Sequence, residues 1–174
     1  DVVITAVFKR KEYRLRVVEG GGHGEFSGIW ELDKLPWGTP LRFTVQAYEY
    51  YVIDSVTANG TEITPDSIGT YNSYNYTTTP GDTTIRANFK KQQFTVTANE
   101  TQNGTIKLIS TSPIDWGENF TIHAKADPNY EIDTVTVNGE NVSVNNLGDY
   151  TFVMPTHDVT VSATFKKIKY TITG

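Results

Sequence analysis

A nine-residue segment that occurs three times constrains this chain more than any other feature of its sequence. It reads D-V-V-I-T-A-V-F-K at residues 1–9, D-T-T-I-R-A-N-F-K at residues 82–90 and D-V-T-V-S-A-T-F-K at residues 158–166. Five residues after each phenylalanine comes a further aromatic residue, which is Tyr13, Phe94 or Tyr170. Self-similarity at a nearly fixed period indicates tandem copies of one structural unit.

The residues between these segments also match. Trp37-Gly38 corresponds to Trp116-Gly117, and the pattern Y-x-I-D-x-V-T-x-N-G occurs at residues 51–60 and 130–139. We therefore predict two small tandem domains with flanking pieces of two more repeats. The predicted boundaries are 1–9 for the last strand of a preceding repeat, 10–90 and 91–167 for the two repeat domains, and 168–174 for the first strand of a following repeat.

Alternation of apolar and polar residues predicts β-strands. Leu41, Phe43, Val45 and Ala47 fall on one face of a strand, and Phe120, Ile122, Ala124 and Ala126 repeat the pattern. Asn59-Gly60 and Asn138-Gly139 lie between β-branched runs, and Asn-Gly favours tight hairpin turns. No segment has a helical period over ten residues. The prediction is an all-β chain, with two tandem small β-sandwich-like or β-grasp-like domains and little or no helix.

Composition excludes several classes of protein. The formal net charge of −5 argues against a nucleic-acid binder, which needs a basic surface. No apolar run approaches the roughly 20 residues of a membrane-spanning helix, and no signal-peptide pattern opens the chain. The absence of cysteine excludes disulfides, thiolate zinc sites and cysteine nucleophiles. Stability should therefore rest on aromatic-rich cores, for which the expected residues are Phe43, Tyr51, Phe89, Phe120, Tyr130 and Phe165.

The repeat resembles a known family. The motif Y-x-I-D-x-V-T-V-N-G followed by Y-T-F-V-M-P-T-H-D-V-T-V-S-A-T-F-K-K is similar to the divergent internalin-B-type repeat of bacterial secreted and cell-surface proteins. The first copy departs from this pattern at residues 77–81 and carries extra residues around 65–73. The resemblance implies an exported bacterial protein, secreted or at the cell surface, in which repeats act as spacers, stalks or interaction modules without catalysis.

The histidines and aspartates give little support for a metal or catalytic site. His23, His123 and His157 are scattered along the chain, and a zinc or catalytic site needs several such groups to converge. We expect them to be solvated side chains. Asp54 and Asp133 recur at one repeat position, where they could be metal ligands or a general acid and base. An Asx-type contact or a bulge at a strand bend is the favoured interpretation, because Asp readily bonds nearby backbone N–H groups.

The aromatic residues offer a better candidate. The two Trp-Gly pairs could stack on sugars, but their equal placement favours packing anchors beside turn glycines. Tyr48 and Tyr50 match Asp127 and Asn129 of the other copy, and Tyr71 lies in the inserted stretch. Since the shared core does not require these three tyrosines, we expect them to be exposed and to contact a glycan or a protein.

The sequence thus predicts a non-enzymatic repeat module of a bacterial cell-surface or secreted protein, serving as a spacer, a stalk or an interaction module. The alternative is a carbohydrate-binding module that uses exposed Tyr and Trp of the first repeat. We expect no catalytic residue, metal or cofactor. The expected partners are further repeats of the same chain and a host or bacterial glycan or protein, and the chain itself is expected to be a monomer.

Overall fold

A computed structural model of the chain describes residues 2–143 and 148–171. Within these residues the chain forms only strands, turns and irregular segments, which confirms the predicted all-β class. The described part contains no helix long and apolar enough to cross a bilayer. The chain divides into two compact units, residues 1–90 and residues 91–174.

The strands of the first unit are β1 (Glu12–Gly20), β2 (Gly24–Ser27), β3 (Leu32–Pro36), β4 (Pro40–Ala47), β5 (Tyr51–Ala58), β6 (Thr61–Glu62), β7 (Asn72–Thr77) and β8 (Thr83–Lys91). They form a five-stranded sheet in the order β3-β1-β8-β5-β6 and a three-stranded sheet in the order β2-β4-β7.

The second unit repeats this plan, with its first strand interrupted. Its strands are β9 (Gln93–Phe94), β10 (Val96–Ala98), β11 (Gly104–Leu108), β12 (Ile114–Asp115), β13 (Asn119–Ala126), β14 (Tyr130–Val137), β15 (Glu140–Val142), β16 (Asp149–Val153) and β17 (Val159–Lys167). They form the sheets β10-β17-β14-β15, β11-β13-β16 and β12-β9.

Each unit has one apolar core, to which both of its larger sheets contribute. In the first unit Phe43 of β4 and Ile85 of β8 belong to the same buried cluster, and in the second Phe120 of β13 and Val161 of β17 do. The predicted inward faces of β4 and β13 are buried apart from their last residue, which is half-buried. Of the other predicted core aromatics, Tyr51, Phe89, Tyr130 and Phe165 are half-buried. Two sheets around one core make each unit sandwich-like.

The Asn-Gly turns are as predicted. Asn59 and Gly60 have φ angles of 51° and 82°, and Asn138 and Gly139 have 51° and 84°. Positive φ at both central residues is the geometry of the tight turn that matches strand twist. The turns join β5 to β6 and β14 to β15 in antiparallel pairs.

In each unit the last strand runs parallel to a strand near the start of that unit. β1 pairs with β8 from Leu15↔Thr83 to Gly20↔Asn88, and β10 pairs with β17 from Val96↔Val159 to Ala98↔Val161. The alternation pattern predicts strands and hairpins, but it does not predict this long-range pairing. As a result, the chain enters the large sheet at one end and leaves it at the other.

The two ends of the chain form no strand within the described residues. Residues 2–11 are exposed, with Val2 and Phe8 more than 90% accessible, and residues 168–171 form no ladder. Strands β8 and β17, which carry the same segment, pair with earlier strands of their own repeats. Asp1 and residues 172–174, which belong to the two predicted terminal strands, lie outside the described residues.

Candidate functional site

Tyr48 and Tyr50 lie in the tight turn between β4 and β5. The Tyr51 N–H donates to the Tyr48 carbonyl at 3.0 Å, and the Tyr48 N–H donates to the His23 carbonyl at 2.9 Å. Tyr50 adopts a φ of 65°, and Asn129 at the same place in the second repeat has a φ of 70°. The turn itself is therefore shared by both repeats, whereas its two tyrosines are specific to the first.

Tyr71 directly precedes β7 and lies at the same end of the small sheet as that turn. The antiparallel register pairs Val45 of β4 with Asn72 of β7, so the residues after Val45 run alongside those before Asn72. Tyr48 is 49% exposed and Tyr71 is 53% exposed, as predicted, whereas Tyr50 is half-buried, so the prediction that it is exposed is wrong. The structure thus places all three predicted site residues at one end of β4 and β7, and presents two of them prominently to solvent.

A groove of about 330 Å³ adjoins this end of the sheet. It is lined by neighbours of the three tyrosines, among them Tyr51, Val52, Ile68 and Asn72. Ile68 is 81% exposed, and Tyr51 stacks on His23 with ring centroids 4.0 Å apart. Tyr51 is the one aromatic residue among the lining residues of this groove, and its ring beside the Asn72 amide offers a ligand an apolar surface and a hydrogen-bonding group.

The three histidines lie apart, and each has a neighbour. His23 stacks on Tyr51, His123 Nδ1 lies 2.5 Å from Asp149 Oδ1, and His157 Nε2 lies 3.1 Å from Asn138 Nδ2. The expectation of simply solvated imidazoles thus misses these local contacts. Within residues 2–143 and 148–171 there is no group of three or more His, Asp or Glu side chains arranged to hold a metal ion.

Asp54 and Asp133 pair with lysines of the last strand. Asp54 Oδ1 lies 2.9 Å from Lys90 Nζ, and Asp133 Oδ1 lies 3.2 Å from Lys166 Nζ. Asp133 is also the extra residue of a β-bulge, because the register of β14 on β17 shifts between Ile132 and Thr134. The hydrogen bond and the negative charge of Asp133 raise the pKa of Lys166. This arrangement fits the favoured structural interpretation and extends it with a lysine partner.

The Trp-Gly pairs occupy turns, and each indole has a basic neighbour. Arg10 lies 5.6 Å from the Trp37 ring centroid, and Lys91 lies 5.7 Å from that of Trp116. Gly38 and Gly117 have φ angles of 79° and 78°, which explains the glycine after each tryptophan. Trp116 is half-buried, as a packing anchor should be, but Trp37 is 46% exposed.

Two kinds of polar contact occur in both repeats and are not predicted from the sequence. The side chain of each turn asparagine accepts a backbone hydrogen bond from the last strand of its unit. The Thr84 N–H donates to Asn59 Oδ1 at 2.7 Å, and the Thr160 N–H donates to Asn138 Oδ1 at 2.8 Å. Asp82 and Asp158, which open the repeated segment, accept the N–H of Arg14 and Thr95 at 2.8 and 2.7 Å. The recurrence of these residues was a visible signal, but their partners are distant in the sequence.

Trp30 was missed for a different reason. It is 66% exposed and belongs to neither Trp-Gly pair. It lies six residues after Gly24, and the corresponding residue after Gly104 is Ser110. The same comparison of copies that identified the tyrosines would have identified this tryptophan as well.

Comparison with known proteins identifies the second repeat. Residues 94–169 match the family described as the divergent InlB B-repeat domain. This agrees with the resemblance seen in the sequence and covers strands β10 to β17. No curated protein and no solved structure matches the chain significantly.

Proposed function

We propose that this chain, whose second repeat is a divergent InlB B-repeat domain, is a non-enzymatic spacer in a bacterial secreted or cell-surface protein. The observation that carries the proposal is the parallel pairing, in each unit, of the last strand with a strand near the start: β8 with β1 and β17 with β10. A hairpin would return the chain to the end at which it entered. Parallel strands instead carry it across the unit, as a stalk requires.

The length gained in each unit follows from strand geometry. β8 runs from Thr83 to Lys91, and Thr83 pairs with Leu15 near the start of β1. Eight steps at about 3.3 Å per residue separate entry and exit by about 26 Å. β17 spans the same number of residues in the second unit. A folded repeat therefore supplies a stiff spacer, in contrast to a flexible linker, whose end-to-end distance fluctuates.

Side-chain chemistry supports a role without catalysis. The carboxylates at the repeated positions, Asp54 and Asp133, form ion pairs with lysine, and the three histidines lie in separate places. A hydrolytic or acid–base site would need such groups to converge on one substrate.

Surface display tests the spacer role. Zero, one or two copies of the 174-residue chain are placed between a membrane anchor and an epitope tag, and binding of a bulky antibody to whole cells is measured. We expect binding to increase with each copy. A matched series carries Gly24→Val and Gly104→Val, which should prevent folding. Equal antibody binding for the folded and unfolded series would refute the spacer role.

Carbohydrate binding by Tyr48, Tyr50 and Tyr71 is a second candidate function, supported by their position at one end of β4 and β7. A glycan array tests it with the wild-type chain and with Tyr48→Asp/Tyr50→Asn. These replacements import the residues of the second repeat, and Asn tolerates the positive φ at position 50. Loss of a specific array signal with an unchanged melting temperature would support this function. An identical array pattern for both proteins would contradict it.

A further inference from the structure

The parallel pairing within each unit also decides how that unit responds to tension. In the first unit β1 and β8 lie side by side over six consecutive pairs, from Leu15↔Thr83 to Gly20↔Asn88. Tension along the chain pulls β1 at its first residue and β8 at its last residue. Because the strands are parallel, these two points lie at opposite ends of the pair. The strands are therefore loaded in shear, and they must slide past each other before the unit can unfold.

Shear loading makes a strand pair strong because its hydrogen bonds share the load. The backbone hydrogen bonds of a parallel pair are evenly spaced along the two strands. When the strands slide, all of these bonds carry force at the same time and must break together. When two strands are instead pulled apart from the same end, the bonds break one after another, each under the whole load.

The paired strands of the first unit are also anchored in its core. Leu15 of β1 and Ile85 and Ala87 of β8 are almost fully buried in one apolar cluster. The Arg14 N–H donates to Asp82 Oδ1 at 2.8 Å where the pair begins, and β5 holds the other side of β8. Sliding β1 along β8 therefore removes apolar side chains from the core as well as breaking hydrogen bonds, and both cost free energy.

The second unit has the same arrangement with a shorter strand pair. β10 and β17 are paired over three residues, from Val96↔Val159 to Ala98↔Val161. The carboxylate at the start of the last strand recurs, since the Thr95 N–H donates to Asp158 Oδ1 at 2.7 Å. The two units thus share one load-bearing plan, but fewer backbone bonds resist sliding in the second.

Gly20 explains the longer pair of the first unit. A methyl group on Gly20 would stand 2.8 Å from the Ala87 carbonyl oxygen, so a side chain there would force the end of β1 away from β8. At the same place, seven residues after the aromatic residue that opens the repeat, the second repeat has Thr101. The Thr101 hydroxyl donates to the Gly104 carbonyl at 2.7 Å, within the turn that follows β10. Glycine thus permits a close approach that threonine does not.

We propose that each unit bears tension through a mechanical clamp, which is the parallel pair β1 with β8 or β10 with β17, and that the first unit has the stronger clamp. A module that stays folded under load keeps its length, whereas a flexible linker extends. The proposal rests on the spacer role, because a module is put under tension only when it links two loaded ends. The clamp itself is measured on single molecules, so it can fail while the surface-display test of the spacer role succeeds.

Single-molecule force spectroscopy of the full chain tests the clamp. The chain has no cysteine, so pairs of introduced cysteines define the points of attachment. Lys11→Cys/Gln92→Cys loads the clamp in shear, and Lys11→Cys/Pro80→Cys peels it from one end, because residue 80 shortly precedes the start of β8. All three residues are exposed. Since forced unfolding is governed by the unfolding rate, we expect the first unit to unfold in shear at about twice the peeling force or more.

Pulling the chain from its two ends compares the two units. We expect two unfolding events, and Gly20→Thr should lower the force of the stronger event only, because it introduces the residue of the second repeat and shortens the first clamp. Gly60→Val is the control, since Gly60 has a φ of 82° in the turn between β5 and β6, outside the clamp. It should lower stability in urea but leave the unfolding force unchanged, because that turn is still formed when β1 begins to slide.

Circular dichroism melts identify any variant that fails to fold. Gly20→Ala, whose methyl group makes the same contact with the Ala87 carbonyl, then replaces the threonine variant. The proposal is overturned if the first unit unfolds at the same force in shear and in peeling, or if the Gly20 variants unfold at the wild-type force or lower the weaker event instead. It is also overturned if Gly60→Val lowers the force as much as the Gly20 variants do.

Discussion

Phe165 lies over Gly104 so closely that a methyl group on the glycine would stand 2.5 Å from Cζ of the ring. The same methyl group would stand 2.7 Å from the Lys125 carbonyl oxygen. In the first unit Phe89 covers Gly24 in the same way. The aromatic ring of the last strand thus occupies the space that a side chain on β2 or β11 would need, and this explains why both repeats have glycine there.

We therefore expect Gly104→Ala to destabilise the second unit, because its methyl group must displace the Phe165 ring and also meets backbone. Overpacking of this kind costs about 1–3 kcal/mol of the free energy of unfolding. Urea unfolding monitored by circular dichroism measures the loss. Gly69→Ala is the control: the nearest heavy atom to its added methyl is 3.7 Å away, so its effect should stay within about 0.5 kcal/mol. Equal effects of the two variants would contradict the packing argument.

Phe165→Ala should also destabilise the second unit, but by less than the loss of a fully buried ring. Phe165 is half-buried, so we expect about 2–3 kcal/mol, below the 3–5 kcal/mol typical of a core phenylalanine. In the Phe165→Ala background, Gly104→Ala should cost less than it does alone, because the ring has gone and only the Lys125 carbonyl remains in the way. A double-mutant cycle in urea measures this coupling, and strictly additive effects would show that the two residues do not interact.

Gly139→Val should lower the free energy of unfolding by about 1 kcal/mol or more, because a β-branched residue resists positive φ. Gly139 has a φ of 84°, and its added side chain would meet open space, so conformation alone accounts for the expected loss. Gly139→Asn should cost less, since Asn adopts positive φ more readily. Thermal melting of both variants tests this, and an unchanged midpoint for valine would be inconsistent with the turn.

Asp158 should make the second unit less stable in acid. The Thr95 N–H donates to its carboxylate at 2.7 Å, and this hydrogen bond lowers the pKa of Asp158. Because the folded-state pKa is lowered, the stabilisation is present above the unfolded value of about 3.9 and is lost as pH falls through the folded value. Asp158→Asn keeps an acceptor oxygen but does not titrate.

Urea unfolding of the wild type and of Asp158→Asn at pH 7 and at pH 3 isolates this contribution. The wild type should be the more stable protein at pH 7, and its advantage should shrink at pH 3. All other carboxylates are common to the two proteins, so their titration cancels in the comparison. A stability difference that is the same at both pH values would mean that the Asp158 charge contributes nothing.

Residues 91–167 should fold alone, as the predicted domain boundaries require. This segment contains every strand from β9 to β17 and the whole buried cluster of the second unit. The isolated fragment should therefore unfold cooperatively in urea with a sigmoidal transition. A fragment truncated at residue 157 lacks β17 and should not fold. If the 91–167 fragment showed no cooperative transition, the repeat would not be an independent domain.

The features predicted well from sequence are those that depend on neighbouring residues. Alternation places Phe43 and Phe120 in cores because side chains of a strand point to opposite faces in turn. Asn138 and Gly139 form a turn because both tolerate positive φ. Comparison of the copies separated Tyr48 and Tyr71 from the shared core, and both are exposed. Local sterics and burial preference suffice for each of these predictions.

Only the tertiary structure decided which distant segments meet. The pairing of β1 with β8 and the ring of Phe165 over Gly104 each bring together residues far apart in the chain. A period-two pattern specifies the faces of a strand, but it does not specify the strand's neighbour or direction. Those are selected by the packing of the whole core, since a strand pair forms only where both strands bury their apolar faces against the same partners.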